Sequence, residues 1–379
     1  MLPLVAHLLL VGGGHAHLEV LRRQARRPLR GVSVTLVSSG ERQHYSGMAA
    51  GFISGDYEEG EFAVDLGSLC RTAGAAFVCG DVERVDTGAG IARLRDGRDL
   101  PFDAVSFAVG SALCGADLPG VRERALSVKP IARAVVLREK LSALAAAGKG
   151  RVTVVGGGAA GIELAFAAAA ILRRARSAGE VLLIDAQDGI LEGYGERFRA
   201  RVRRALDRRG VTVRAGTPVT GVEEGGVRAK GGEHIPSDAT VWATGPAAPG
   251  LFRASGLHVD REGFLRVDDS LRSPAHPNVF GAGDCVSLDR HPDTPKAGVY
   301  AVREAPFLER SLRAFFEGTR APRYAPQSGF LSILGTADGK ALLRYGGVVS
   351  WSGWAWRWKQ TIDRRFVRRY QTIAGGFPE

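Results

Sequence analysis

The stretch RVTVVGGGAAGIE, residues 151–163, limits the possible folds more than any other part of the chain. Arg151 to Val155 is a short β-branched run of the kind that forms a buried parallel strand. Gly156, Gly158 and Gly161 then follow the spacing G-x-G-x-x-G. The first glycine permits a tight turn, the second lets a pyrophosphate approach the backbone, and the third lets helix and strand pack closely. Free N–H groups and the dipole at such a helix start favour an anion. Alone this spacing is weak evidence, but Val181–Ile184 supplies the next strand and ends on Asp185. A carboxylate there binds a ribose 2′-OH and repels a 2′-phosphate, which favours NADH over NADPH.

An incomplete version of the same signal opens the chain. Leu4–Val11 reads as a strand, followed by Gly12-Gly13-Gly14-His15-Ala16-His17 and a helix to about Arg26. Gly12 and Gly14 are in place, while His17 stands where the third glycine belongs, which predicts looser helix–strand packing. The next strand, Val32–Val37, runs to Ser38 and Ser39 instead of an acid, and a hydroxyl binds a ribose less strongly than a carboxylate. Residues two apart on a helix do not share a face, so His15, His17 and Glu19 are discounted as metal ligands and no metal is expected. The apolar start lacks basic residues and a cleavage site, and reads as a strand, not as a signal peptide.

The rest of the chain repeats this plan. His44–Met48, including Ser46, reads as a loop that either lines a ligand crevice or is an ordinary surface turn. Asp81–Phe102 alternates like hairpins, and Ala104–Val109 is an apolar strand running into Gly110. After a connecting stretch and helix (121–147), the helix that follows the central glycines is apolar nearly all round. Its exception is Glu163, an acid placed in the first turn where the dipole tolerates it. Arg197–Arg209 is a strongly basic helix, Val219–Val241 reads as hairpins, and an apolar strand then ends at Gly245. Asn278–Phe280 runs into Gly281-Ala282-Gly283-Asp284. Lys296–Arg313 reads as a helix whose start aims N–H groups and the Lys296 ammonium into the crevice. Phe330–Leu343 forms two short strands, and a Trp/Arg-rich tail follows.

The fold class expected is α/β, with two Rossmann-like dinucleotide-binding domains, β-hairpin inserts and a small C-terminal region. The divisions expected are 1–120 and 246–325 for a split first domain, 121–245 for an inserted second one, and 326–379 for the remainder. The 379 residues suffice for two domains. A net charge of +11 raises nucleic acid as a partner, but no nucleic-acid module is recognisable, so none is expected. Cys70, Cys79, Cys114 and Cys285 form no close pair, which predicts buried thiols with neither a local redox dithiol nor a zinc site.

The ordered set GGGHAH (12–17), GGGAAG (156–161), ATG (243–245) and GAGD (281–284) resembles the two-dinucleotide flavoproteins of the pyridine nucleotide–disulfide oxidoreductase superfamily. Within it the chain is most similar to type II NADH dehydrogenases. Closer still are the flavoprotein domains fused ahead of selenide, water dikinase, which share GGGHAH, YSGM (45–48), KP (129–130), PKAG (295–298) and the WRWK…IDRRF tail (356–366). The kinase half lies outside this sequence. The resemblance implies FAD in the split domain and NADH in the inserted one. Gly12 and Gly14, with His15 and Ala16, would then cradle the FAD pyrophosphate, and Asp284 beside Gly283 would hold the ribityl chain. Ser38, Ser46, Gly110, Lys129, Lys296 and Ala297 complete the flavin side. Gly156, Gly158, Gly161, Asp185 and Gly245 fall to NADH, with Glu163 near the nicotinamide. Glu163 and Lys296 are the catalytic candidates. The disulfide-reductase cysteine pair is missing, as is the pair used with sulfide, so those chemistries are not expected.

The expected reaction is hydride transfer from NADH to FAD and then two electrons to a quinone-type acceptor. In the tail Trp351, Trp354, Trp358, Ile362 and Phe366 recur at helical spacing, with Arg357, Lys359, Arg364, Arg365, Arg368 and Arg369 as a basic remainder. Such a segment fits an interfacial membrane helix and a quinone delivered from lipid, with packing onto the first domain as the other reading. No apolar run spans a bilayer, so a cytoplasmic protein, peripheral at most, is expected. Two alternatives stay open: a soluble acceptor linked to selenium metabolism, and a non-catalytic NADH-binding redox sensor. The sequence leaves the oligomeric state undetermined.

Overall fold

The structure, a computed structural model, describes residues 5–375. The first strand is Ala6–Val11; the expected start at Leu4 lies outside the described residues. That strand is the centre of a five-stranded parallel sheet, in the spatial order Val279–Gly281, Ala104–Phe107, Ala6–Val11, Val32–Ser38 and Ala76–Cys79. Leu8, Leu9 and Leu10 are all within 1% of full burial, as a strand covered on both faces requires. Helix α1 (His15–Arg26) follows it.

A second five-stranded parallel sheet repeats the arrangement. Its order is Leu126–Ser127, Ala239–Trp242, Arg151–Val155, Glu180–Ile184 and Val211–Arg214. Its central glycine turn leads into α2 (Ala159–Arg174), and α3 (Glu196–Arg208) comes after the strand ending at Ile184. In α3, Phe198, Val202, Ala205 and Leu206 are buried, which leaves arginines on the outer face. The fold class is the expected one. In both sheets the glycine-bearing strand pairs with the next strand on one side and with the strand ending in Gly110 or Gly245 on the other. Strand order therefore reverses beside each glycine turn, which opens a crevice there.

Each sheet carries a three-stranded antiparallel insert, 82–101 in one case and 219–236 in the other. A short antiparallel ribbon of Ala112–Leu113 with Pro246–Ala247 joins the two repeats. The late strand Val279–Gly281 lies in the sheet built from the N-terminal strands, so chain segments far apart in sequence share one layer. Helix α4 (Gly298–Glu317) packs against α1.

The C-terminal region departs from expectation in two ways. It has three antiparallel strands, Ser332–Gly335, Ala341–Tyr345 and Val348–Ser352, where two were expected. The third follows a two-residue Gly346-Gly347 turn, a recognisable hairpin signal. Trp351 is on that strand, and α5 begins only at Gly353 and runs to Ala374. Trp351 is thus not on the helical face: its indole donates to Thr336 Oγ1 at 3.1 Å.

Candidate active site

The glycine turn of the second sheet has the geometry its glycines predict. Gly156 has φ +117°, and a Cβ on Gly161 would lie 1.9 Å from the Gly156 carbonyl oxygen, so no larger residue fits. A Cβ on Gly158 would meet nothing within 4 Å, which leaves that side of the turn open. Asp185 turns its carboxylate to the loop, accepting from the N–H of Gly157 and, at 2.9 Å, from that of Gln187. Gly245, beyond the neighbouring strand, is likewise open.

The first turn works differently. A Cβ on Gly14 would sit 2.3 Å from the Ala108 carbonyl oxygen, so the loop presses against the strand that ends before Gly110. His17 does not loosen this packing as expected. It is fully buried, its Nδ1 pairing with the Gly12 carbonyl at 2.7 Å and its Nε2 with Ser106 Oγ at 2.9 Å. The imidazole ties turn to strand where a third glycine would have let them touch. Burial pushes its pKa down to about 4.

The N-termini of α1 and α4 converge on one crevice. Around the position of a Gly298 Cβ lie His15 Cε1 at 3.6 Å and Ser46 Oγ at 3.8 Å. Ser46 opens a short 3₁₀ turn, and His15 packs edge-on against Tyr45 and Phe366. His15 Nε2 is buried without a partner among the described residues, and burial lowers that ring's pKa to about 4. Ala16 is buried in the first turn of α1, and Ser38 ends its strand half-buried. Lys129 donates to Ser111 Oγ at 2.6 Å and lies 3.9 Å from Asp284, directly after Gly283. Burial raises the Asp284 carboxyl and lowers the Lys129 ammonium. Gly110 is open on the same side.

Two expectations about charge fail. Helix α4 starts at Gly298 with Ala297 as its cap, so Lys296 lies before the helix. Its ammonium folds back onto the Val286 carbonyl and sits 4.5 Å over the Phe264 ring, instead of leading the helix into the crevice. Glu163 sits beyond the first turn of α2, so the dipole does not account for it. Its carboxylate accepts from the Gly335 N–H at 2.8 Å. Burial raises its pKa, and the charge of Lys359 draws it back.

Lys359 was expected on a basic outer face, and that is wrong. It is 7% exposed, donating to Asp363 Oδ2 at 2.9 Å and to the Gly47 carbonyl at 2.7 Å. Tyr57 donates its hydroxyl to Asp363 as well. The sequence signal for this cluster was the i, i+4 Lys–Asp pair in phase with the buried Trp356, Val367 and Tyr370. The outer face of α5 carries Trp354, Trp358 and Ile362, all exposed, with Arg357 and Arg365 beside them. Among the described residues no helix is long and apolar enough to cross a membrane. All four cysteines are free; Cys70 and Cys285 are buried as expected, whereas Cys79 and Cys114 are exposed.

Residues 6–305 match the family model described as pyridine nucleotide-disulphide oxidoreductase. A stretch of 230 residues is 32% identical to an NADH dehydrogenase-like protein of Mycobacterium tuberculosis and spans 58% of this chain and 58% of that one. A type II NADH:quinone oxidoreductase of the same organism is 23% identical over 386 residues, covering 92% of this chain and 82% of its own length. Among solved structures, the sulfide:quinone oxidoreductase of Aquifex aeolicus superposes with a TM-score of 0.83 at 17% identity, over 97% of this chain and 92% of that one. The chain is a member of the pyridine nucleotide–disulphide oxidoreductase family.

Proposed function

We propose that this protein is an FAD-dependent NADH dehydrogenase that passes two electrons to a quinone-type acceptor. The observation that carries this reading is the pair of glycine turns, each at a strand-order reversal, with the buried Glu163 beside Lys359 of α5. The residues present fit two dinucleotides. Gly158 and Gly110 leave their turns open, and His15 Nε2 is a buried polar atom with no partner among the described residues. FAD, when bound, supplies hydride acceptance and the onward delivery of electrons.

The chain's own residues bind and orient. Gly12, Gly14, His15 and Ala16 present the N-terminus of α1 to a pyrophosphate. Asp284 and Lys129 offer an acceptor and a donor to a polyol chain, with Ser38, Ser46, Gly110, Gly283 and Ala297 around them. The first N–H groups of α4 favour negative charge in the crevice, a role expected of them together with Lys296. Gly156, Gly158, Gly161, Asp185 and Gly245 form the NADH side, and Asp185 selects against a 2′-phosphate. Glu163, held by the Gly335 N–H close to Lys359, would hold a proton at its buried carboxyl beside the nicotinamide site. Residues 1–120 with 246–325 form the flavin unit around a nucleotide unit of 121–245.

The acceptor assignment draws on the quinone named for the mycobacterial oxidoreductase and on the exposed Trp354, Trp358 and Ile362 with their arginines. That stripe suits an anionic lipid surface on the cytoplasmic side. The test is anaerobic bleaching of the flavin by NADH, followed by stopped-flow reoxidation with a quinone. Fast bleaching and fast recovery support the proposal. Bleaching without recovery refutes the quinone, and absence of bound flavin refutes the whole reading.

A further inference from the structure

The Gly281–Asp284 turn rests on α4. A Cβ on Gly283 would lie 3.1 Å from Ala301 Cβ, and one helical turn on, Glu304 reaches the turn itself. Glu304 Oε2 accepts the Gly283 N–H at 2.6 Å, the one hydrogen bond its carboxyl makes among the described residues. The residue is 2% exposed. A buried carboxyl with a single backbone donor is under-satisfied, and it sits one residue from the side chain assigned to the flavin.

We propose that Glu304 is the positioning residue of the Gly281–Asp284 turn, and that the proton on its carboxyl sets how firmly the turn, and with it bound FAD, is held. An ionised carboxylate accepts the Gly283 N–H in a charge-assisted bond, stronger than the bond to a neutral acid. That bond fixes Gly283 at φ +83° and so fixes the direction in which Asp284 leaves the turn. The proton comes from and returns to solvent, and nothing is oxidised or reduced.

The surroundings leave the carboxyl free to titrate. Lys296 is the nearby cation, and its ammonium is engaged by the Val286 carbonyl. Asp284 opposes ionisation from the turn, and the Cys285 thiol, raised by burial, stays neutral. Tyr324 approaches from the following segment with a buried hydroxyl that has no partner among the described residues, and Tyr300 lies a turn earlier on α4, close to the Tyr324 phenol. From α1, Glu19, Arg22 and Arg23 engage one another, and Arg23 reaches Glu309, further along α4. Burial pushes the Glu304 carboxyl up to about 7, so it changes charge near neutrality. The ionised form prevails above pH 7 and the protonated form below it. The Gly283 N–H lowers the pKa, and opening the turn takes that donor away while the carboxyl stays buried. The open turn therefore binds the proton more readily, and a fall in pH favours opening.

The flavin half of this proposal rests on the FAD reading; the turn half does not. The test therefore has two readouts on the full chain, wild type and Glu304→Gln, between pH 6 and 8. One is hydrogen–deuterium exchange of the peptide containing Gly283, compared between the two proteins at each pH so that intrinsic exchange cancels. The other is the rate at which bound FAD is released. Gln keeps the shape and the acceptor but does not titrate. In the wild type, exchange and release should quicken as pH falls, on the order of fivefold, the worth of about one hydrogen bond. The Gln variant should be flat. Glu304→Asp, which retracts the carboxylate from Gly283, should be loose throughout. A Gln variant that follows the wild-type profile overturns the proposal, as does a flat wild type or release that quickens toward high pH. If no FAD binds at any pH, the flavoprotein reading fails while the exchange comparison still decides for Glu304.

Discussion

Lys359→Met should cost the protein several kcal/mol, although the substitution keeps the bulk of an unbranched side chain. Lys359 and Asp363 are 7% and 3% exposed, with a 2.9 Å contact between them. Losing the ammonium leaves Asp363 with only the Tyr57 hydroxyl and the Gly47 carbonyl with no donor from α5. It also removes the cation nearest Glu163. Breaking a buried pair from one side costs about 3–5 kcal/mol, because the remaining charge is desolvated without compensation. Urea unfolding followed by tryptophan fluorescence measures the loss, with Trp356 on the same buried face. Adding Asp363→Leu should recover part of it. Recovery stays incomplete because Tyr57 loses its acceptor, an unmet group worth about 1–3 kcal/mol. The Lys359 pKa is raised in the fold, chiefly by Asp363 and Glu163 against the burial that lowers it. The Lys359 contribution is therefore full below about pH 10.4 as long as Asp363 stays ionised, and is lost as pH climbs through the raised Lys359 value. A Lys359→Met protein within about 1 kcal/mol of wild type would refute the buried-pair reasoning, as would a double variant whose losses simply add.

Three further outcomes follow from other sites. Asp185→Ala removes the carboxylate proposed for the ribose and should weaken NADH binding about ten- to a hundredfold, while narrowing the proposed preference over NADPH; titrations with both nucleotides measure this. His17 is buried neutral with its pKa lowered to about 4. Its stabilising effect is present above the unfolded value near 6.5 and is lost as pH falls toward 4, by up to about 3 kcal/mol. Unfolding curves at stepped pH should show that loss in the wild type and a smaller one in His17→Gln. Trp354→Glu with Trp358→Glu should reduce co-sedimentation with anionic vesicles at least about tenfold and leave NADH turnover with a water-soluble acceptor unchanged. Equal sedimentation would show that the stripe does not meet lipid.

Much of the fold was legible because local rules and the tertiary result agree. Gly156 and Gly161 occupy positions where the backbone, or a neighbouring carbonyl, leaves no room for a side chain, and their spacing alone placed a strand, a turn and a helix. The repeat of that plan, ending at Gly110 and Gly245, was readable for the same reason: each short apolar run had to be buried on both faces. Asp185 at the end of its strand was equally local. The tail was harder. Helical spacing put five apolar residues on one face, but Gly346-Gly347 turned the chain into another strand and removed Trp351 from it.

Burial separates these cases. Whether Lys359 faces water or Asp363 depends on Gly47, Tyr57 and Glu163, which reach it from parts of the chain 312, 302 and 196 residues away in sequence. The same holds for His17, which sequence spacing marked as a misfit and the structure uses as a hydrogen-bonded plug against Ser106. Lys296 likewise turned back because Val286 and Phe264 were within reach. Periodicity, glycine spacing and strand-end chemistry are properties of short segments, so the sequence by itself determined the α/β class, the two nucleotide turns and the acid at the second. The charge state and direction of each buried polar side chain depend on which distant groups exclude water from it, and only the tertiary structure decided that.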